Sequence, residues 1–185
     1  MAKGKGKTVS KLRFLIASLG VFIASSTANA RTITQTPMER VGDLLQVIVP
    51  AYAFGMAMNE DGWMGAKQFA YSFAAMEMTV YGLKYTVDEE RPNKADHHSF
   101  PSGHTASAFS GASFIHRRYG IKRAIVPYLL AGVTGYTRID ANKHHWWDVL
   151  AGAAISTAFS FAIVDKYSNV SVSAGPTRVG VNVKF

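Results

Sequence analysis

Three clusters in this sequence carry side chains able to do chemistry: Lys84 with Arg91-Pro92, then Pro101-Ser102-Gly103-His104, then Arg138 with His144 and Asp148. His144 and Asp148 stand at helical i, i+4 spacing, so a helix starting near His144 sets both on one face. A carboxylate on one imidazole nitrogen fixes the tautomer and leaves the other nitrogen free to attack. Pro101-Ser102 reads as a helix start with Ser102 as the cap, and the free amides of that first turn attract anions. Gly103 lets a substrate come close to the backbone, and His104 stands at the rim, where a general acid is useful. Arg91 offers a planar donor fork suited to phosphate oxygens and Lys84 a point charge, while Pro92 stiffens the chain after Arg91.

Each cluster taken alone has a plainer reading. His144 with Asp148 makes an ordinary helix-surface pair worth about 0.2–0.5 kcal/mol. Pro101–His104 makes a capped helix with a polar first turn. Lys84 and Arg91 make a solvated loop in which Asp88-Glu89-Glu90 balances their charge. Together they supply three cations, a helix amino-terminus and two histidines, one with a carboxylate partner, which is a complete set for phosphoryl transfer.

The order and spacing from Lys84 to Asp148 resemble the type 2 phosphatidic acid phosphatase family, which also includes bacterial acid phosphatases and vanadium haloperoxidases. One departure is Thr137 before Arg138, where that family usually has serine; a hydroxyl is kept. The resemblance implies that Lys84, Arg91 and Arg138 hold the non-bridging phosphate oxygens, aided by Ser102 and the Gly103 amide. It implies that His144 attacks phosphorus and becomes phosphohistidine, with Asp148 orienting it. His104 then protonates the leaving alcohol and later activates water. No metal and no other cofactor is implied, because the cations take the role that metal ions have in many phosphatases.

The elements that must position these residues are helical. Five helix-length segments follow a polar lead-in at 31–40: roughly Val41–Asn59, Trp63–Thr86, Ser102–Arg118, Ile121–Thr137 and Trp146–Lys166. The fold expected is all-α, a membrane-associated bundle of about five long helices. In the tail, Val179, Val181, Val183 and Phe185 alternate with polar residues, and Gly175-Pro176 offers a turn, which predicts a short C-terminal β-hairpin. The domain plan is then a leader at 1–30, a helical phosphatase domain at 31–169 and a tail at 170–185.

The leader has a lysine-rich start, the apolar run Phe14–Ala24 and the small-residue end Ala28-Asn29-Ala30, which describes a secretory signal peptide. It also holds five of the cations behind the net charge of +8 (Lys3, Lys5, Lys7, Lys11 and Arg13) and no acid. The excess is therefore not a basic stripe on the folded domain, and nucleic-acid binding is discounted. Without cysteine, disulfides, thiolate metal sites and cysteine nucleophiles are excluded. Residues 42–58 carry a single charge, Asp43, and residues 124–137 and 149–164 carry none, each near the lower limit for a bilayer span. The densest basic cluster after the leader, Arg117, Arg118, Lys122 and Arg123, then faces the cytoplasm. Loops 87–101 and 138–145 both fall on the opposite face, at the periplasmic side of an inner membrane.

The expected partner is a phosphorylated lipid or a small phosphomonoester. A soluble periplasmic acid phosphatase is the alternative if the bundle lies outside lipid, and a vanadate-dependent haloperoxidase is the alternative with the same pocket. His97, His98, His104, His144, His145 and Asp148 can also be drawn as a metal cluster, but that leaves three cations opposing the ion. A non-enzymatic reading rests on the tail alone, whose last strand is similar to the closing strand of outer-membrane barrels; one hairpin builds no barrel. His97 and His98 are expected in a solvated loop, His145 without a catalytic role, and Lys143 and Asp140 in solvent.

Overall fold

The computed structural model describes residues 35–167, 170–175 and 178–183; the expected leader lies outside the described residues. Five α-helices run in chain order: α1 (Pro37–Glu60), α2 (Trp63–Val87), α3 (Gly103–Tyr119), α4 (Ile121–Asp140) and α5 (Trp146–Ile163). Two short strands follow, β1 (Val170–Gly175) and β2 (Arg178–Val183), paired antiparallel with Val170 opposite Val183.

The helix ends differ from the sequence pattern for local reasons. The supposed lead-in at 31–40 already contains the start of α1, because Thr36 caps the helix by accepting from the Glu39 amide at 3.1 Å and Pro37 fits the first turn. α4 continues past Thr137 to Asp140, which makes Arg138 a last-turn residue. α5 stops at Ile163 rather than Lys166 because the next backbone groups find partners elsewhere. Asp165 N–H donates to Gln68 Oε1 at 2.9 Å, and Tyr167 N–H donates to the Arg118 carbonyl at 2.9 Å.

α3 is the central element and packs against the other four helices. Its alanines, serines and glycines are small enough to be buried on nearly every side, including Ala106, Ser107, Ala108, Ser110, Gly111 and Ala112. The close approach is literal at Gly152 of α5, where a Cβ would stand 2.5 Å from the Ser102 carbonyl oxygen. Larger side chains fill the end of the bundle where α3 finishes. Phe69 meets Phe114 edge-on at 5.1 Å, with Ile115, Ala53, Ala57, Ala124 and Val164 around them. Each such aromatic contributes about 1.5–3 kcal/mol by leaving water.

That same end is tied by a buried polar knot. Arg118 Nε donates to Asp61 Oδ2 at 2.5 Å, and its Nη1 donates to Gln68 Oε1 at 2.9 Å and to the Asp165 carbonyl at 3.0 Å. The outward faces of the helices are apolar instead: Leu44, Met78, Leu129 and Leu150 are exposed by 61%, 77%, 65% and 58%. α1 and α5 are long and apolar enough to cross a membrane, and most of each lies outside the core.

Candidate active site

The polar residues of the three clusters gather at the other end of the bundle, where α2 ends, α3 and α5 begin and α4 ends. The loops 88–102 and 141–145 meet there: the Asn93 amide donates to the Asn142 carbonyl at 3.0 Å, and Arg91 Nη1 donates to the Lys143 carbonyl at 3.0 Å.

His144 sits just before α5 rather than within its first turn. The residue at the cap is His145, whose amide donates to Asp148 Oδ2 at 2.8 Å, so the helix proper begins at Trp146. This corrects the expectation of a helix-face pair. His144 and Asp148 still approach, with Nδ1 3.5 Å from Oδ2 and both side chains buried, a separation longer than a good hydrogen bond. The Asp148 carboxylate is held more firmly by Ser99, whose hydroxyl donates to Oδ2 at 2.5 Å. On the other side of the ring, His144 Nε2 lies 3.3 Å from Arg91 Nη1. A guanidinium can only donate, so Nε2 carries the lone pair and the neutral ring keeps its proton on Nδ1, toward Asp148.

Lys84, near the end of α2, donates to the His98 carbonyl at 2.8 Å. Arg91 divides its fork: Nε donates to Asp96 Oδ1 at 2.7 Å while Nη1 turns to the Lys143 carbonyl and the His144 ring. Ser102 caps α3, its hydroxyl 3.0 Å from Thr105 Oγ1, and it is fully buried. Gly103 opens the helix, and a Cβ there would lie 3.8 Å from Lys84 Cε, so the Lys84 stem passes beside the first turn of α3. Free amides and an ammonium thus converge on one spot, the arrangement that cradles an oxyanion.

Arg138 is fully buried against α1. Its Nη1 donates to Asp43 Oδ1 at 2.8 Å and its Nη2 to the Glu39 carbonyl at 2.6 Å. The same Asp43 oxygen accepts from His104 Nε2 at 3.0 Å. Gly42 makes this contact possible: a Cβ there would collide with the Thr137 hydroxyl and stand 2.5 Å from Arg138 Nη2. Lys143, expected in solvent, instead pairs with Glu39. Asp140 is exposed.

His145, expected without a catalytic role, has defined packing. It stacks flat on Trp147 with ring centroids 4.4 Å apart, and its Nδ1 lies 3.4 Å from Asp148 and 3.5 Å from Glu89. Glu89, His145 and Asp148 bring one ligand atom each within 4.8 Å of one another. Among the described residues this is the group whose geometry could hold a metal ion; it shares His145 and Asp148 with the cluster drawn from the sequence, with Glu89 in place of the other histidines. His97 and His98 stay in the loop with side chains 59% and 45% exposed.

Burial sets the electrostatics. Desolvation pushes His144 down to about 4, helped by the positive charges of Arg91 and Lys84, while Asp148 pulls the other way. The ring is therefore neutral, with a free lone pair, at any ordinary pH. His104 is also lowered by burial, with Arg138 and Lys143 adding to the effect and Asp43 opposing it. Asp96 is held low, despite burial, by its bonds from Arg91 and the His98 amide.

Residues that sequence reasoning missed are Asp43, Ser99 and Glu39. Asp43 did carry a signal, as the one charge in the apolar stretch 42–58. Ser99 and Glu39 carried none, since both act across contacts between distant segments.

Known proteins resemble this chain in sequence and in fold. The PAP2 superfamily model matches residues 65–171. A lipid A 4'-phosphatase of Helicobacter pylori is 27% identical over 141 residues, covering 70% of this chain and 71% of that protein. A lipid A 1-phosphatase of Porphyromonas gingivalis is 39% identical over 89 residues, covering 46% of this chain but only 20% of that longer protein. In fold, the chain is similar to the crystal structure of Aquifex aeolicus LpxE, with a TM-score of 0.59 over 70% of this chain and 87% of that one, at 22% identity.

Proposed function

The chain belongs to the PAP2 superfamily, and from that premise we propose that it hydrolyses phosphomonoesters of membrane lipids through a phosphohistidine at His144. The observation that carries this reading is the neutral His144 ring, with Nε2 presented beside the Arg91 guanidinium and Nδ1 turned to Asp148. Nε2 attacks phosphorus as the ester P–O bond breaks, and His104 gives its proton to the departing alkoxide. Lys84, Arg91 and Arg138 stabilise the three equatorial oxygens, and the Gly103 amide adds a neutral donor. In the second half a water loses its proton to His104 and attacks phosphorus, the P–N bond breaks, and inorganic phosphate leaves. Asp148 holds the Nδ1 proton throughout, which favours the imidazolium-like charge of the intermediate.

A lipid substrate follows from the outer surface. The apolar outward faces on α1, α2, α4 and α5 suit lipid rather than water, and α1 and α5 have the length to cross a bilayer. Relatives named as lipid A and lipid phosphate phosphatases support that substrate class. The leader and the basic α3–α4 link support a site on the exported face, the periplasmic side of the inner membrane in a cell with two membranes.

The test compares the unmodified chain with His144→Ala on phosphatidic acid, lipid A and a soluble aryl phosphate, with chelator present. The expected outcome is lipid phosphate hydrolysis that chelator leaves intact, vanadate inhibits and His144→Ala abolishes, with acid-labile phosphate trapped on His144. Equal hydrolysis by both proteins overturns the nucleophile. Preference for the soluble ester overturns the lipid substrate, and halide oxidation on adding vanadate would replace hydrolysis as the reading.

A further inference from the structure

The site as described includes a contact that the phosphoryl-transfer reading does not use. Asp43 stands on α1, outside the stretch 65–171 that matches the family, yet one of its oxygens receives both His104 Nε2 at 3.0 Å and Arg138 Nη1 at 2.8 Å. Around it, α1 is fitted onto Arg138. Gly42 leaves no room for a side chain against Thr137 and Arg138, the Glu39 carbonyl takes Arg138 Nη2 at 2.6 Å, and the Glu39 carboxylate holds Lys143. A buried guanidinium beside a histidine would by itself drive the proton off the ring. The carboxylate between them opposes that tendency and fixes the direction of both side chains at once.

We propose that Asp43 is a positioning residue for the reaction, keeping His104 in the proton-donating form with Nε2 tied back and Nδ1 left for the leaving oxygen, while aiming Arg138. The site then holds two histidine–carboxylate pairs with opposite duties. Asp148 steadies a ring that must be neutral to attack, and Asp43 steadies a ring that must be charged to give a proton. The charged groups around His104 are Asp43 and Glu39 on α1, Arg138 on α4 and Lys143 in the loop before α5, with Lys84 of α2 beside Gly103. Three of these are cations and one acid is already occupied by Lys143, so Asp43 is the carboxylate that sustains the charged ring.

This inference rests on the phosphatase reading, and its test uses the full chain in detergent–lipid micelles with phosphatidic acid as substrate. Asp43→Asn keeps the shape and removes the charge. The expected result is that the alkaline limb of kcat moves to lower pH by roughly one unit or more, as loss of an opposite charge at this range does. The acid limb, set by His144, stays where it is. In a double-mutant cycle, Asp43→Asn costs much less turnover once His104 is already Gln. A loss that is uniform across pH, or additive with His104→Gln, overturns the proposal and leaves Asp43 a structural partner of Arg138. If Asp43→Asn does not fold, carbon-13 NMR of the His104 ring, compared between the unmodified chain and Asp43→Glu, decides. A midpoint that rises when Asp43 is lengthened to Glu, or does not change, also overturns it; a fall supports it. Failure of the unmodified chain to hydrolyse any lipid phosphate is a different result, and overturns the function rather than this contact.

Discussion

The two ends of the bundle each bury arginine and aspartate together, yet they are built for different ends. At the end where α3 finishes, Arg118 meets the Asp61 carboxylate, the Gln68 amide oxygen and the Asp165 carbonyl, and its donors are saturated by partners from three separate segments. At the end where α3 begins, Lys84 donates to a backbone carbonyl, and Arg91 spends its Nη1 on another carbonyl and an imidazole nitrogen. Neutral acceptors are weaker partners than charged ones. A phosphate dianion can therefore displace them, whereas nothing entering the first end could compete with the Asp61 carboxylate. At the α3 start Arg91 Nε and Arg138 Nη1 are also answered by carboxylates, Asp96 at 2.7 Å and Asp43 at 2.8 Å, so the difference between the ends lies in Lys84 and Arg91 Nη1, whose donors are held by dipoles alone.

This contrast can be broken from either side. Asp61→Ala strands Arg118 in the core and is expected to cost about 3–5 kcal/mol, the range for removing one partner of a buried pair. Thermal unfolding in detergent measures it, and turnover per folded molecule stays unchanged. Arg91→Lys keeps the charge but loses the fork, and is expected to lower kcat/KM by roughly a hundredfold while the unfolding midpoint hardly moves. A hundredfold loss explained by unfolding would erase the distinction between the two ends. Ser99→Ala removes the 2.5 Å bond that anchors Asp148. A roughly tenfold fall in kcat with unchanged KM is expected, with Thr restoring most of it.

A further expectation concerns pH dependence. His144 has a folded value of about 4 against an unfolded value near 6.5, so between those two the unfolded chain binds more protons. Stability therefore rises with pH across that window, by at most about 1.4 kcal/mol per unit from this group, and the gain is complete above it. Replacing His144 by Gln should flatten the curve of unfolding midpoint against pH between 4 and 6.5. A slope that persists unchanged would assign it to another group.

The five helices were legible because each is a long apolar segment bounded by Gly, Pro or charge, and the resemblance of the motif spacing to a phosphatase family brought Lys84, Arg91, Ser102, Arg138, His144 and Asp148 into one reading. What escaped was set by partners distant in sequence. His144 and Asp148 looked like neighbours on a helix, but the cap falls at His145, and a cap is chosen by which carboxylate reaches which amide. Lys143 looked solvated because its partner, Glu39, lies across the bundle. Asp43 showed as an isolated acid, and no local pattern says that His104 on α3 and Arg138 on α4 wait for it. Periodicity reports how a segment meets its surroundings; it does not report which residue answers which.

The gathering of the candidate residues at one end has a consequence for traffic. On the function proposed above, the headgroup would enter and inorganic phosphate depart at that same end. Reversing the insertion of the bundle would leave each distance in the site untouched and still deliver the phosphate to the other compartment. The direction of phosphate delivery is thus written in the flanking charges that orient the helices, and not in the residues that cleave the ester.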